Sequence, residues 1–407
     1  MHPRLKKILG ILFFVVTISA VLIIAFSNQE LGDAWEAISR LDIRWLAGIF
    51  LCWVTYTFFE AAGTWSYLRG QGYKIRLFRV IGTSLIGFYY SNITPGAAGG
   101  QPMQVNSLRK AGIPVGYGTL AITIRFVTNQ FMICMISLGL FLAHRDFVYN
   151  QLGGAIWAVR IGWIINFASV PLVLLAAFKR VWVQKLALKL IALGTKMKLI
   201  RDPEGAAFRV TDILDTYHEA FMELLHHPKQ ILLQMLCSGI SLLGLTGSVV
   251  FTYYALGQRG TPWIHILTLS CLLFISASYT PLPGASGAQE GGFLLYFRGI
   301  FKDGTIGLGL LVWRFFTYYI FLIVGVFTVL NEKLLLRREK RRREREEREK
   351  ENRSGENPGA NPPETAEMKA GDPMTGTSGT ETPDTEAPEN RRPAAEIPEA
   401  EAQGEPE

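Results

Sequence analysis

Pro95-Gly96-Ala97-Ala98-Gly99-Gly100-Gln101 and Pro283-Gly284-Ala285-Ser286-Gly287-Ala288-Gln289 are near copies, and each interrupts a long apolar segment. Proline lacks a backbone donor, and glycine loses more conformational freedom in a helix than any other residue, so neither run continues a membrane helix. The backbone breaks twice. Inside lipid, broken backbone survives only where protein or a water-filled cavity satisfies its N–H and C=O groups. Two such breaks therefore point to one internal cavity.

Setting Pro95 on Pro283 also matches Gly96 with Gly284, Gly99 with Gly287 and Gln101 with Gln289. Downstream, Arg125-Phe126-Val127-Thr128 pairs with Arg314-Phe315-Phe316-Thr317 at nearly the same offset. Two separated matches in one order indicate a duplication, with repeat one at about 45–142 and repeat two at about 229–331. The first break is approached from the basic loop Arg69 to Arg79, the second from the short turn Gly257 to Trp263. The copies are thus expected to be inverted. Leu77–Asn92 with Pro102–Ile113 reads as a re-entrant hairpin from the cytoplasm, and Ile264–Tyr279 with Gly291–Ile300 as its counterpart from outside. The rival reading makes each apolar arm a full crossing, which the polar stretch Gln101 to Lys110 disfavours. Inverted repeats with discontinuous helices are how transporters place a substrate site at the bilayer midplane.

The class follows from hydropathy. Hydrophobic residues make up 49% of the 407, and mean hydropathy is +0.22 although the C-terminal tail is strongly polar. Expected spans of about 20 residues each are Ile8–Phe26, Leu46–Leu68, Leu120–Leu142, Ile156–Phe178, Ile231–Leu256 and Ile306–Leu330. The fold class is an all-α polytopic membrane protein with about six full crossings plus the two oppositely oriented hairpins. Arg4, Lys6 and Lys7 before the first span resemble a signal peptide, but no small-residue cleavage site follows, so the segment reads as a retained anchor. Basic residues cluster at the N-terminus, at Arg69–Arg79, from Lys179 to Arg209 and after Lys333, which places both termini in the cytoplasm and the protein in the cell (inner) membrane. From Arg337 the tail holds 13 Lys+Arg and 19 Asp+Glu, a net of −6 that leaves +13 on the rest of the chain, whose total is +7. Positive-inside bias and anionic headgroups explain that excess without nucleic acid.

The four cysteines, Cys52, Cys134, Cys237 and Cys271, lie far apart in apolar segments and read as buried small hydrophobes. His226-His227 lacks metal-ligand partners at useful spacing, and neither a metal nor a cofactor is expected. Arg125 lies roughly 8 Å and Arg314 about 12 Å inside their spans. An arginine at a membrane centre costs about 2.5–3.5 kcal/mol on insertion scales, so each faces a partner or a polar cavity. Guanidinium offers a bidentate fork suited to phosphate; the alternatives are snorkelling to the headgroups or a structural salt bridge with Glu60 or Glu290. Arg160, near a span end, snorkels. The expected result is a wet, positively charged chamber midway through the bilayer.

Thr94-Pro95-Gly96 through Gln101, and Thr280-Pro281-Leu282-Pro283-Gly284 through Glu290-Gly291-Gly292, resemble motifs of the lysylphosphatidylglycerol synthase transmembrane, or flippase-like, family, over about Ile8 to Leu336. That resemblance implies a domain that moves charged phospholipids between leaflets, here a stand-alone member without the aminoacyltransferase domain. It implies that Pro95, Gly96, Gly99, Gly100, Pro283, Gly284 and Gly287 shape a headgroup cavity. Family motifs often read Pro-Gly-Gly where this chain has Ala97 and Ala285.

The expected domains are 1–336, the transmembrane part; 337–350, a charged cytoplasmic helix; and 351–407, a disordered tail rich in Pro, Glu, Gly and Thr. An outer interfacial helix is expected near 32–40, and a basic amphipathic helix over 181–200. The expected function is a flippase-like translocator with Arg125, Arg314, Thr94, Gln101, Gln289, Glu290 and Glu60 at the headgroup. Its partners are membrane phospholipids, anionic or aminoacylated, and not nucleic acid, with a homo-oligomer left open. The alternatives are a membrane-embedded transferase acting on a lipid or polyprenyl carrier and a small-solute transporter. The first lacks a catalytic constellation, because the acids in the expected membrane region are Glu60 and Glu290 with no His beside them.

Overall fold

A computed structural model describes residues 39, 41–196, 203–278, 280–302 and 304–355. The expected span Ile8–Phe26 lies outside the described residues, as do the interfacial segment 32–40 apart from Ser39 and the tail from 356 onward. The chain divides into two units after Arg343, and every contact described below lies within the first, Met1–Arg343.

The described residues are helical, without strands. Helix α1 is Ile43–Gly70, α2 Leu77–Ile93, α3 Gly100–Lys110 and α4 Val115–Ala143. They are followed by α5 Arg145–Leu152, α6 Ile156–Phe178, α7 Arg180–Lys196 and α8 Pro203–Leu225. The last group is α9 Pro228–Ala255, α10 Trp263–Ala277, α11 Ala288–Tyr296, α12 Ile306–Arg314 and α13 Ile320–Gly355. Sequence punctuation sets the ends. Asp42 caps α1 by accepting the Arg44 amide at 2.9 Å, Pro228 occupies the first turn of α9, and Pro114 and Pro262 stand just before α4 and α10.

Among the described residues, five helical stretches are long and apolar enough to cross a bilayer: Ile43–Gly70, Val115–Ala143, Arg145–Pro171, Pro228–Ala255 and Ile306–Arg337. Each covers all or part of an expected span from Leu46–Leu68 onward. Arginine to proline in the third stretch runs through α5 and a short turn into α6, so that helix begins earlier than hydropathy alone suggested. Charged Arg145 and Asp146 had masked its start.

Helices α1 and α9 form the most extensive helix pair among the described residues. Small residues let their backbones approach: a Cβ added at Gly244 would sit 3.0 Å from the Cys52 carbonyl oxygen, and Ser241 donates to the Tyr56 carbonyl at 3.0 Å. Cys52, Cys134, Cys237 and Cys271 are all buried and unbridged. Two apolar clusters flank this pair. One gathers Leu68, Val80, Leu108, Leu120 and Phe221 around α2 and α3. The other gathers Leu269, Leu272, Phe293, Phe297 and Trp313 around α10 and α11.

Each broken segment folds back on itself. α2 packs on α3, and α10 on α11. One helical turn of 3₁₀ type, Pro95–Ala97 or Pro283–Ala285, joins the limbs in each case, and the two turns pack against each other.

Candidate functional site: a polar cavity between two broken helices

The two breaks share a backbone conformation. Gly96 has φ 58° and ψ 22°, Gly284 φ 62° and ψ 19°, and the alanines that follow, Ala97 and Ala285, have φ 56° and 52°. All four are left-handed, a region that glycine enters freely and alanine enters at a cost of about 1–2 kcal/mol. The Pro-Gly-Gly form of the motif suits these angles better than Pro-Gly-Ala. Similarity ends one residue later: Gly99 has φ −81°, whereas Gly287 has φ 87°. The aligned glycines therefore differ in conformation, because α11 starts after an extended Ser286 while Ala98 and Gly99 are already helical.

Each turn is closed by a different polar group. Thr94 Oγ1 accepts the Gly99 amide at 2.9 Å and donates to the Tyr90 carbonyl at 2.6 Å. Glu290 accepts the Gly287 amide at 2.6 Å, as a third-residue glutamate does in a capping box. Ser286 donates to the Pro283 carbonyl at 2.9 Å. The turns are then joined directly, for the Gly96 amide donates to the Pro281 carbonyl at 2.9 Å and Tyr318 OH donates to the Asn92 carbonyl at 3.4 Å.

A cavity of about 570 Å³ lies where the turns meet. Its wall includes Gly96, Gly284, Gln101, Gln289, Glu60, Arg125 and Arg314 from the sequence reading, together with Tyr56, Gln104, Gln130 and Tyr318. Thr94, Glu290, Pro95, Gly99, Gly100, Pro283 and Gly287 stand behind that wall, where they shape or brace the turns. At Gly100 the limbs α2 and α3 touch so closely that an added Cβ would collide with Ser91 and come within 2.9 Å of the Gly87 carbonyl.

Both arginines are buried and both are paired. Arg125 Nη1 lies 2.9 Å from Glu60 Oε1, and its Nη2 donates to Gln104 Oε1 at 2.7 Å; Asn129 donates to Glu60 Oε2 at 3.2 Å. Arg314 Nε donates to Glu290 Oε1 at 2.8 Å, Nη2 lies 2.6 Å from the same oxygen, and Nη1 donates to Gln289 Oε1 at 2.8 Å. Its Nη2 also reaches the Gly284 carbonyl at 3.4 Å, and the guanidinium carbon sits 5.4 Å from the Trp313 and Tyr318 rings. The expected positive chamber is thereby corrected: among the described residues the site's charges are two guanidinium and two carboxylate groups, which sum to zero. Snorkelling fails as a reading of Arg125, which is 7% exposed. Arg160 is exposed and donates to Tyr149 OH at 3.2 Å.

The arginines are similar in sequence but not in circumstance. Arg314 uses all three of its nitrogens. Among the described residues Arg125 Nε meets no acceptor, and Nη1 is near Glu60 without hydrogen-bond alignment. Their carboxylates come from unlike places as well, Glu60 from α1 and Glu290 from α11.

Gln104, Asn129 and Tyr56 were missed by the sequence reading, although helical spacing carried a signal. Gln104 lies three residues after Gln101, Asn129 four after Arg125, and Tyr56 four before Glu60, so each shares a face with a residue already singled out. The π-helical turn Phe315–Tyr319 directly after Arg314 was missed too, and no composition marks it. A further polar cluster sits away from the cavity. Buried Glu332 of α13 accepts from Ser107 at 2.6 Å and from Lys110 at 2.9 Å on α3, with Arg79 of α2 at 3.6 Å.

Long apolar helices around a polar cavity, with two broken helices meeting at its wall, define a polytopic α-helical membrane protein. The sequence matches the family model described as Lysylphosphatidylglycerol synthase TM region over residues 8–325, and the chain belongs to that family. It is also similar to a UPF0104 membrane protein of Archaeoglobus fulgidus, at 23% identity over 325 residues, covering 76% of this chain and 93% of the relative.

Proposed function

We propose that this protein moves a phospholipid across the membrane by taking its headgroup into the cavity while the acyl chains stay in the bilayer. The cavity, at about 570 Å³, is within the range of small-ligand sites, and a headgroup fits it. In this reading the hairpins α2–α3 and α10–α11 are re-entrant and enter from opposite faces as an inverted repeat, with both termini in the cytoplasm of a cell-membrane protein. The transmembrane part is 1–336, and 337–350 is a charged cytoplasmic extension. The single observation that carries the proposal is the convergence of two buried arginines on one cavity between two broken helices, since broken backbone and buried charge at membrane depth mark substrate pathways. The phospholipids expected from the family resemblance are anionic or aminoacylated.

Proteoliposomes containing fluorescent phospholipids, with an impermeant quencher outside, test this. Protein should accelerate leaflet exchange, and Arg125→Ala should abolish the acceleration. Equal exchange with and without protein sinks the proposal.

A further inference from the structure

The inference concerns the chemistry of the headgroup and rests on the function just proposed. Among the described residues the cavity wall carries three charged ones, Glu60, Arg125 and Arg314, and Arg314 is bonded to Glu290 behind the wall. The set is neutral. A net-anionic headgroup entering it would bring a charge with no uncompensated cation to meet, and buried charge without a partner is strongly unfavourable.

The two pairs differ in what they leave available. Around Arg314, Glu290, Gln289 and the Gly284 carbonyl absorb every nitrogen. The first turn of α11 likewise has its own acid, Glu290, on the Gly287 amide. On the other side, Arg125 is buried with Nε lacking an acceptor among the described residues and with Nη1 2.9 Å from Glu60 Oε1 but out of hydrogen-bond alignment. Phosphate recognition is favoured by the second arrangement, where a buried guanidinium keeps a donor without an acceptor. The same wall carries Glu60 and the rings of Tyr56, Phe88 and Phe321, with centroids 5.0 Å apart for Tyr56–Phe88 and 4.8 Å for Phe88–Phe321. A carboxylate that shares a cavity wall with aromatic rings suits an ammonium group.

We propose that the cavity binds a zwitterionic phospholipid headgroup, with one phosphate and one ammonium, by exchanging partners with the Glu60–Arg125 ion pair. Phosphate moves onto Arg125 and the ammonium onto Glu60, so every buried charge keeps a counter-charge and the cavity stays neutral. Arg314 is a positioning residue that holds the second turn and does not touch the headgroup.

Calorimetric titration of the full-length protein in detergent tests this with four probes: dihexanoyl-phosphatidylethanolamine, dihexanoyl-phosphatidylglycerol, O-phosphoethanolamine and inorganic phosphate. The ethanolamine lipid should bind at least about tenfold tighter than the glycerol lipid, because only the latter leaves a carboxylate facing an anion. Glu60→Gln, which makes the site net positive, should reverse that order. A glycerol-lipid preference in the unaltered protein overturns the inference and leaves lipid translocation standing, and this arm needs no variant. An unchanged ratio in a folded Glu60→Gln protein also overturns it. Soluble O-phosphoethanolamine or phosphate binding as tightly as the lipids would place the site with free solutes instead. Absence of binding by either lipid strikes the translocator reading itself.

Discussion

The amide of Gly96 donates to the carbonyl of Pro281 at 2.9 Å, so the two broken helices are joined through main chain at their tips. Each break exposes peptide groups that a continuous helix would have satisfied, and here one break supplies a donor to the other's acceptor. The cavity forms around this junction, lined by Gly96 on one side and Gly284 on the other.

Ala97 and Ala285 are held at φ 56° and 52°, so substituting glycine at either position should stabilise the protein. Relief of left-handed strain is worth about 1–2 kcal/mol, and the greater freedom of glycine in the unfolded chain returns about 0.4–1 kcal/mol of that. Ala97→Gly and Ala285→Gly should each raise the thermal midpoint in detergent. A fall for both would mean that the turns relax away from these angles.

The turn pair was legible in the sequence for a physical reason. Pro-Gly inside an apolar run has few alternatives to breaking a helix, and two copies of one motif marked both breaks. Arg125 and Arg314 stood out because charge in such segments is rare. Their neutralisation was less visible: Glu60 is 65 positions from Arg125 in the chain, and only packing of α1 on α4 brings them together. Glu332 was hidden by its surroundings, since a glutamate next to Lys333 at the end of an apolar run reads as a solvated helix end rather than a buried acceptor. The different φ of Gly99 and Gly287 was not legible either, because glycine permits both values and its neighbours decide.

Gly96 and Gly284 look equivalent in the alignment, but alanine should be tolerated unequally. At Gly96 no described residue lies within 4 Å of an added Cβ, so Gly96→Ala should cost only the left-handed strain of about 1–2 kcal/mol. At Gly284 the same atom would collide with the Tyr318 ring. Overpacking adds about 1–3 kcal/mol, making Gly284→Ala the more damaging change in thermal denaturation. Equal midpoints would show that Tyr318 moves aside freely.

Arg314 and Glu290 are both nearly fully buried, so removing one should cost more than removing both. Arg314→Met alone strands a carboxylate and should destabilise by about 3–5 kcal/mol, whereas Arg314→Met with Glu290→Leu should recover most of the loss. Midpoints of the two single variants and the double variant complete the cycle. Additive losses would mean that the pair is not coupled as its 2.6 Å separation indicates.

Glu332 ties the last long helix to the first hairpin, because its two oxygens take Ser107 and Lys110 of α3 while Arg79 of α2 stands at 3.6 Å. Glu332→Gln keeps the shape but removes the charge that these two cations face. Hydrogen bonds to charged groups contribute about 1.5–3 kcal/mol, and the loss should fall on α3, the limb held at two points. Amide hydrogen exchange separates a local from a general effect. Protection should drop across Gly100–Lys110 and remain in α10 and α11, which do not touch this cluster; exchange that rises equally in both hairpins would assign Glu332 to global stability instead of to the first hairpin's anchorage.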